Sequence, residues 1–439
     1  MKHTLISVLC VLVVVVCLGV GSLLAGCVQP FDATMKTGQA EKRTSLKINE
    51  SGGFRIMQLT DLHLTSNGTF GKDNQTLRWV EEAITTYKPD LVEVTGDAVG
   101  GDAKKRDKGI LALANIFEKH QVYWAYTFGN HDGEHAADGT WAGKEGAKND
   151  VLQYCSAANE TIDKSKVNSI FYGANDVENA KIYELLQGYE YCLLQRSEAE
   201  MQNPVAMGVG NYVIELKNNE DKTVYAIFHM DSHGKTYIDP VGNTKGVDGY
   251  VDTGYVGLTD MQVEWYRDTV KKYAENNIPS ALFMHVPHYA YREAVEQFSK
   301  NNEYGVPQFE ERPNVSEWLA ANNMLLEKYS EFGFVKQEGV YAPRWDDGLA
   351  AVMEQYPSTN LVGVGHDHNN SFVIPWTVDG GEHPVLLAYG RTSGVNAWSR
   401  DIPIGASVYD IDFAAYDPQA MYSIVWEKPS FQYDALGSR

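Results

Sequence analysis

Residues 122–135 read VYWAYTFGNHDGEH, and the join inside this stretch sets the frame for the whole chain. Val122 to Phe128 is an apolar, aromatic run of the kind that fills a buried strand. It stops at Gly129, and Asn130, His131 and Asp132 follow at once. Polar side chains buried at a strand tip are costly unless something binds them. The same join recurs along the chain. Phe54 to Leu59 runs into Thr60-Asp61-Leu62-His63, and Leu91 to Val94 runs into Thr95-Gly96-Asp97. Ser280 to Met284 ends in His285, and Leu361 to Val364 ends in Gly365-His366-Asp367-His368. In open α/β sheets the carboxyl ends of the strands face the ligand crevice, so residues far apart in sequence can converge there.

Outward from these joins the pattern alternates. Phe54 to Leu59 is predicted as a strand, and Asn74 to Tyr87 as a helix with Leu77, Val80, Ile84 and Tyr87 on one face. Asp90 to Val94 follows as a strand, Lys108 to Lys119 as a helix, and Val122 to Phe128 as a strand. Strand and helix in alternation imply right-handed crossovers and a largely parallel sheet. Denser strand signals come later, at Gly210 to Leu216, Thr223 to His229, Ser280 to His285, Asn360 to Val364 and Val385 to Tyr389. Ala406 to Phe413 and Met421 to Trp426 read as a closing hairpin. Helices are predicted at Thr259 to Asn276, Ser316 to Glu331 and Gly348 to Gln355. So many strands exceed one comfortable sheet, and the expected fold is α/β, with two packed mixed sheets flanked by helices.

The N-terminus carries a different signal. Met1 to His3 is a short basic lead, Leu5 to Leu24 is almost uninterruptedly apolar, and Leu24-Ala25-Gly26-Cys27 closes it. Small residues before a cleavage point suit a signal peptidase. A Cys at the first mature position resembles a bacterial lipobox, which implies lipidation of Cys27 and a membrane-anchored protein outside the cytoplasm. An uncleaved membrane anchor is the alternative, since about twenty apolar residues span a bilayer. The domain reading is therefore a signal peptide over 1–26, a flexible tether over 27–47, and one domain over 48–439 with insertions at about 133–204 and 288–347. Both insertions follow strand ends that carry ligand-type residues, so they are expected to wall the pocket.

The formal net charge is −21, which argues against phosphate-backbone binding to nucleic acid as the main role. A chain this acidic needs a local positive source if it handles anions. Of its five cysteines, Cys155 and Cys192 remain once the leader and Cys27 are set aside; a disulfide between them or two buried thiols are both open.

Taken singly, a strand-end His or Asp is a turn residue or a cap. Asp61 and His63, two apart on an extended backbone, project to one side and can grip one ion. The His-x-His at His366 and His368 has metal-ligand spacing. Five such strand ends in series, each with imidazole, carboxylate or amide donors, point to a metal site.

The ordered set Asp-x-His, Gly-Asp, Gly-Asn-His-Asp, strand-end His and Gly-His-x-His resembles the calcineurin-like metallophosphoesterase superfamily, over about Arg55 to His368. The resemblance implies a two-sheet sandwich and a dinuclear metal centre that hydrolyses phosphate esters. Asp61, His63, Asp97 and His368 would hold one metal; Asp97 would bridge to a second, completed by Asn130, His285 and His366. Asn130 and His131 would face the substrate. Gln262-x-x-Trp265 and Tyr389-Gly390-Arg391 suggest a subgroup close to purple acid phosphatases. Those enzymes carry a Tyr soon after the second motif, whereas Val99, Gly100 and Gly101 stand here, so no iron-tyrosinate colour is expected.

The chemistry is consistent with that resemblance. Two metals about 3.5–4 Å apart clamp an in-line displacement at phosphorus and generate hydroxide near neutral pH. Only Asp61 and Asp97 among the seven ligands are anionic, so two divalent ions (manganese, iron or zinc) leave the centre positive. His131 is then the candidate acid for the leaving oxygen or stabiliser of phosphoryl charge, and Asp132 is read as structural. Arg391 is a candidate phosphate contact through its fork, with a surface salt bridge as the equal alternative. The motifs do not separate monoester from diester hydrolysis; the reading leans to the monoester. An extracytoplasmic lipoprotein that binds metal or phosphate without turnover is the rival. His229-Met230-Asp231-Ser232-His233 looks metal-like, but the seven ligands are already supplied. His288 could replace His285 as ligand; His285 is preferred because it closes its strand. Trp141, Trp318, Trp345 and Trp398 are read as core or pocket wall.

Overall fold

The computed structural model describes residues 31–66, 71–100, 105–134, 136–137, 174–238, 251–255, 257–300, 335–336, 339–343, 346–378, 381–399, 404–413 and 417–425. The strands in chain order are β1 (Ser45–Lys47), β2 (Gly53–Leu59), β3 (Leu91–Thr95), β4 (Tyr123–Thr127), β5 (Tyr212–Lys217), β6 (Thr223–His229), β7 (Lys235–Ile238) and β8 (Val251–Tyr255). They continue as β9 (Ser280–Phe283), β10 (Val335–Lys336), β11 (Thr359–Val364), β12 (Asn370–Ser371), β13 (Val373–Thr377), β14 (Pro384–Tyr389), β15 (Gly405–Asp412) and β16 (Asp417–Val425).

Two large sheets emerge. A five-stranded sheet runs β16-β15-β2-β3-β4, and a seven-stranded sheet runs β1-β5-β6-β9-β11-β14-β13. In the first, β2, β3 and β4 are parallel, as their helical crossovers require, and the β15–β16 hairpin adds antiparallel strands at the edge. In the second, β6, β9, β11 and β14 form a parallel centre with antiparallel β5 and β13 beside it. The crossover helices start and stop where their sequences say. Lys72–Tyr87 buries Leu77, Val80 and Ile84, and Lys88 ends it in a left-handed conformation (φ 49°), its N–H on the Ile84 carbonyl. Thr259 and Gln262 form a reciprocal capping box for helix Asp260–Glu275.

The sandwich interior is apolar but crossed by a few paired polar groups. Phe283 of β9 meets Tyr409 of β15 edge-on at 5.9 Å. His229 of β6 donates to Glu93 of β3 at 2.9 Å and stacks on Tyr212 at 4.2 Å. Gln58 of β2 donates to the Val364 carbonyl of β11 at 3.0 Å. Each of these groups is buried, and each would cost free energy without its partner. These bonds fix the register of one sheet over the other, and so the relative position of the strand ends.

Several expectations shift. The tether reading is corrected at its end: Ser45–Lys47 pairs in parallel with β5. The stretch before it lies on the body, where Lys36 reaches Glu118 at 2.9 Å and Lys42 donates to the Leu186 and Tyr189 carbonyls. A polar strand of three residues has no periodicity to read. β13 is an addition to the expected strands, and it carries Pro375, which an edge strand tolerates. The expected helix at 316–331, Cys155, Trp141, Trp318, Trp345 and the leader with Cys27 lie outside the described residues. Cys192 is buried. Among the described residues no helix is long and apolar enough to cross a membrane.

Candidate metal centre

Three of the five strand ends, those of β2, β3 and β11, deliver a side chain through an unusual backbone. Asp61 (φ 53°), His63 (φ 45°), Asp97 (φ 49°) and His366 (φ 75°) all sit in the left-handed region. Non-glycine residues there carry strain of roughly 1 kcal/mol or more each, and such strain gathers at functional sites. The extended geometry expected for Asp61 and His63 is therefore corrected: both turn left-handed as the chain leaves β2. Gly96 (φ +78°) precedes Asp97, and a Cβ on it would lie 2.5 Å from His285 Nδ1 and 2.7 Å from the Gly129 nitrogen. The second motif needs its glycine because two other motifs pass against it.

Two groups of donors result. Asp61, His63, Asp97 and His368 offer ligand atoms all within 4.8 Å of one another, as do Asp97, His285 and His366. Asp97 belongs to both. His285 Nε2 lies 3.2 Å from Asp97 Oδ2 and His63 Nε2 lies 3.6 Å from the same oxygen. His368 Nε2 is 3.3 Å from Asp61 Oδ1 and 3.1 Å from His63 Nε2. Asn130 is buried at the β4 tip beside His131, whose backbone N–H donates to Asp97 Oδ1 at 2.8 Å.

The remaining hydrogen bonds aim these donors. His285 Nδ1 donates to the Thr95 carbonyl at 2.8 Å and His368 Nδ1 to the Trp398 carbonyl at 2.7 Å. Both rings therefore present an Nε2 lone pair inward, as carbonyl-oriented metal-binding imidazoles do. Asp61 Oδ2 is taken by the Thr60 hydroxyl and the His366 N–H, which leaves Oδ1. Asp61 Oδ1 and His285 Nε2 are buried atoms without a hydrogen bond. A carboxylate oxygen and an imidazole nitrogen without a hydrogen bond in one donor cluster fit a bound cation.

The electrostatics agree. Burial alone would raise both carboxyls, yet the imidazoles hold them well below the usual range, chiefly His368 at Asp61 and His285 at Asp97. Burial, and then the charge of His285, keeps His366 neutral; burial also lowers His63. Burial opposes a charge on His285 and His368, but Asp97 lifts the first to about 10 and Asp61 the second to about 9. The site draws in positive charge, and protons and metal ions compete for the same nitrogens.

His131 stands apart from the donors. Its ring centroid is 5.3 Å from that of His63, and its Nδ1 meets Glu134 Oε2 at 2.6 Å. Burial pushes His131 down, but Asp97 and Glu134 outweigh it and bring it up to about 9. Glu134 is a residue the sequence reading missed; the signal was a carboxylate three positions after the histidine in the same turn. Asp132 does hold the turn: it accepts the N–H groups of Asp97, Val99 and Gly129.

Other assignments are rearranged. Arg391 is buried rather than at the surface, and burial lowers its guanidinium to about 10. His288 donates to Asp347 at 2.7 Å and its other nitrogen accepts the Ala290 N–H, so it is turned to Asp347 rather than to Asp97. His229 points between the sheets, away from His233. His233 instead joins Asp231 and Asp176 in a separate buried group and bonds Gln262 at 2.9 Å. Trp398 is 61% exposed and is no core residue. Tyr255, unread from sequence, packs edge-on to His366 at 4.2 Å.

Residues 54–370 match the family model described as calcineurin-like phosphoesterase. Phosphatase DCR2 of Saccharomyces cerevisiae is 22% identical over 366 residues, covering 79% of this chain and 49% of its own. The chain thus spans about half the length of that relative. An Arabidopsis thaliana protein named "Probable inactive purple acid phosphatase 28" is 21% identical over 377 residues, 81% of this chain and 74% of its own. A dimetal phosphatase from Danio rerio aligns over 81% of this chain and 92% of its own, with 10% identity and a TM-score of 0.43.

Proposed function

The chain belongs to the calcineurin-like phosphoesterase family, and on that premise we propose that it hydrolyses phosphate esters, monoesters in preference to diesters, at a centre of two metal ions. The observation that carries this reading is the pair of donor groups that share Asp97. Asp61, His63, Asp97 and His368 would hold one ion, and Asp97, Asn130, His285 and His366 the other. Ions held there supply Lewis-acid polarisation of the phosphoryl group and lower the pKa of water.

The protein's own part is positioning and proton transfer. The Thr95 and Trp398 carbonyls keep His285 and His368 in the tautomer that binds through Nε2. Glu134 holds His131 Nδ1–H, which leaves Nε2 of this partly exposed ring as the atom to meet the substrate. From there it donates a proton to the leaving oxygen or a hydrogen bond to the phosphoryl group. The rival role of binding without turnover finds support in the name of the Arabidopsis relative. Against it stands the retention of all seven donors together with His131.

The leader supports a lipid on Cys27 and a site of action outside the cytoplasm; intact mass of the mature protein with an unmodified Cys27 would reject that part. For the activity, hydrolysis of an aryl phosphate and a bis-aryl phosphate is measured with added manganese. Turnover of the first above the second is expected. A metal-loaded protein that cleaves neither would remove the proposal.

A further inference from the structure

Seven donors and His131 can hold a phosphoryl group, but none of them grips what the phosphoryl group is attached to. Two exposed aromatic residues have backbones that bond the ligand loop and are the candidates for that task. Among the described residues the exposed large hydrophobic side chains include two aromatics, Trp398 at 61% and Tyr341 at 51%. Both are tied by backbone to the His366-Asp367-His368 stretch. The Trp398 carbonyl accepts from His368 Nδ1 at 2.7 Å, and the Tyr341 N–H donates to Asp367 Oδ2 at 3.1 Å.

Their backbones are held from behind as well. Leading to Trp398, the Gly394 N–H donates to the Asp61 carbonyl at 3.1 Å and the Val395 N–H to Thr76 Oγ1 at 3.0 Å, while the Asn396 side-chain amide donates to Asp73 Oδ1 at 2.5 Å. On either side of Tyr341, Arg292 clamps the carbonyls of Val340 and Ala342. Two largely exposed aromatic residues thus stand on held backbones, each one hydrogen bond from the loop that carries two ligands. Exposed apolar surface of this size beside a polar centre marks a binding face, and a fixed face loses little freedom on binding.

We infer that Trp398 and Tyr341 select esters whose leaving group carries a planar aromatic ring, by stacking that ring beside the metal loop. The inference rests on the phosphoesterase reading and names its substrate class. A nucleoside and a simple arylalkyl alcohol share this chemistry, since every such ring offers a face.

The test separates stacking from leaving-group reactivity by using alkoxide leaving groups throughout. Uridine 5′-phosphate, 2-phenylethyl phosphate, cyclohexylmethyl phosphate and glycerol phosphate are compared on the metal-loaded protein. In the wild type the two planar esters should be preferred over glycerol phosphate, mainly through KM. Trp398→Ala should reduce that preference about tenfold or more, the scale of one stacked ring. Tyr341→Ala should reduce it less, and Trp398→Phe should restore most of it. The truncation leaves the carbonyl on His368, so two equivalents of metal in Trp398→Ala confirm an intact centre. Loss of preference for uridine 5′-phosphate alone assigns the nucleoside; loss for 2-phenylethyl phosphate as well assigns the ring in general. A preference for cyclohexylmethyl phosphate equal to that for the planar esters, or a preference untouched by both substitutions, overturns the inference. Calorimetric binding of the same four esters is read alongside turnover. Absence of hydrolysis would count against the phosphoesterase reading, whereas equal affinities for all four would count against the aromatic face.

Discussion

Replacing Glu134 by Gln keeps the size of the side chain and removes its charge. The His131 Nδ1–Glu134 Oε2 bond is 2.6 Å long, with side chains 33% and 26% exposed. A hydrogen bond to a charged group contributes roughly 1.5–3 kcal/mol, and partial exposure puts this one near the lower figure. About 1.4 kcal/mol is tenfold in rate, so kcat/KM for an alkyl phosphate should fall by about one order of magnitude in Glu134→Gln. The pH profile should move too. Glu134 helps raise His131, an acid must be protonated to act, and activity is lost above its pKa; without Glu134 the alkaline limb therefore shifts to lower pH. Metal content should stay at that of the wild type, because Glu134 touches neither donor group. In a His131→Ala background the same change should do nothing further, since its effect passes through the ring. Full activity with an unmoved alkaline limb, or a loss that adds to that of His131→Ala, would refute the reasoning.

The other expectations concern the centre itself. His131→Ala should keep both ions and lose roughly 10²–10⁴-fold in activity, less for aryl than for alkyl esters, because a good leaving group needs less protonation; elemental analysis and steady-state rates on both esters check it. Asp97→Asn should lose both ions together, since Asp97 stands in both donor groups, and elemental analysis after reconstitution would show one retained ion if that sharing is wrong. Loading metal at pH 7 should release about two protons, because His285 and His368 are held at about 10 and about 9 and must deprotonate to bind; titration calorimetry in buffers of different ionisation enthalpy counts them. Gly96→Ala should lower the thermal midpoint and the metal content together, as its Cβ would lie 2.5 Å from His285 Nδ1 and the left-handed backbone adds strain; a variant with wild-type values for both would show that the turn relaxes freely.

The sandwich was legible because its strands and its ligands punctuate each other. A run such as Leu361 to Val364 is ambiguous as a strand, but the Gly-His-x-His after it fixes where the strand must stop and which way it must point. The same logic singles out Asp61, His63, Asp97, His285, His366 and His368, which the fold brings together, though not the backbone that delivers them. Asp61-Leu62-His63 does not by itself announce a left-handed turn, because Asp and His enter that region more readily than most residues yet in only a small share of their occurrences. Glu134 escaped for a different reason. A carboxylate near a histidine is common, and only the turn of residues 129–134 decides that this one faces Nδ1. His229 and His233 looked like one motif. Their separation depends on where β6 ends, since His229 is the last residue of the strand and faces Glu93 inside the sandwich.

The parallel pairing of Ser45–Lys47 with β5 has a practical side. Glu215 donates to the Thr44 carbonyl and Ile48 to the Lys217 carbonyl, so this short segment occupies the outer margin of the seven-stranded sheet. A protein trimmed at Ile48, as the polar composition before it would suggest, bares a row of backbone groups on β5 that another molecule can zip onto. Beginning at Phe31 instead keeps the margin closed. The stretch that reads as a leash is also the hem of the sheet, and the two uses cannot be cut apart after Lys47.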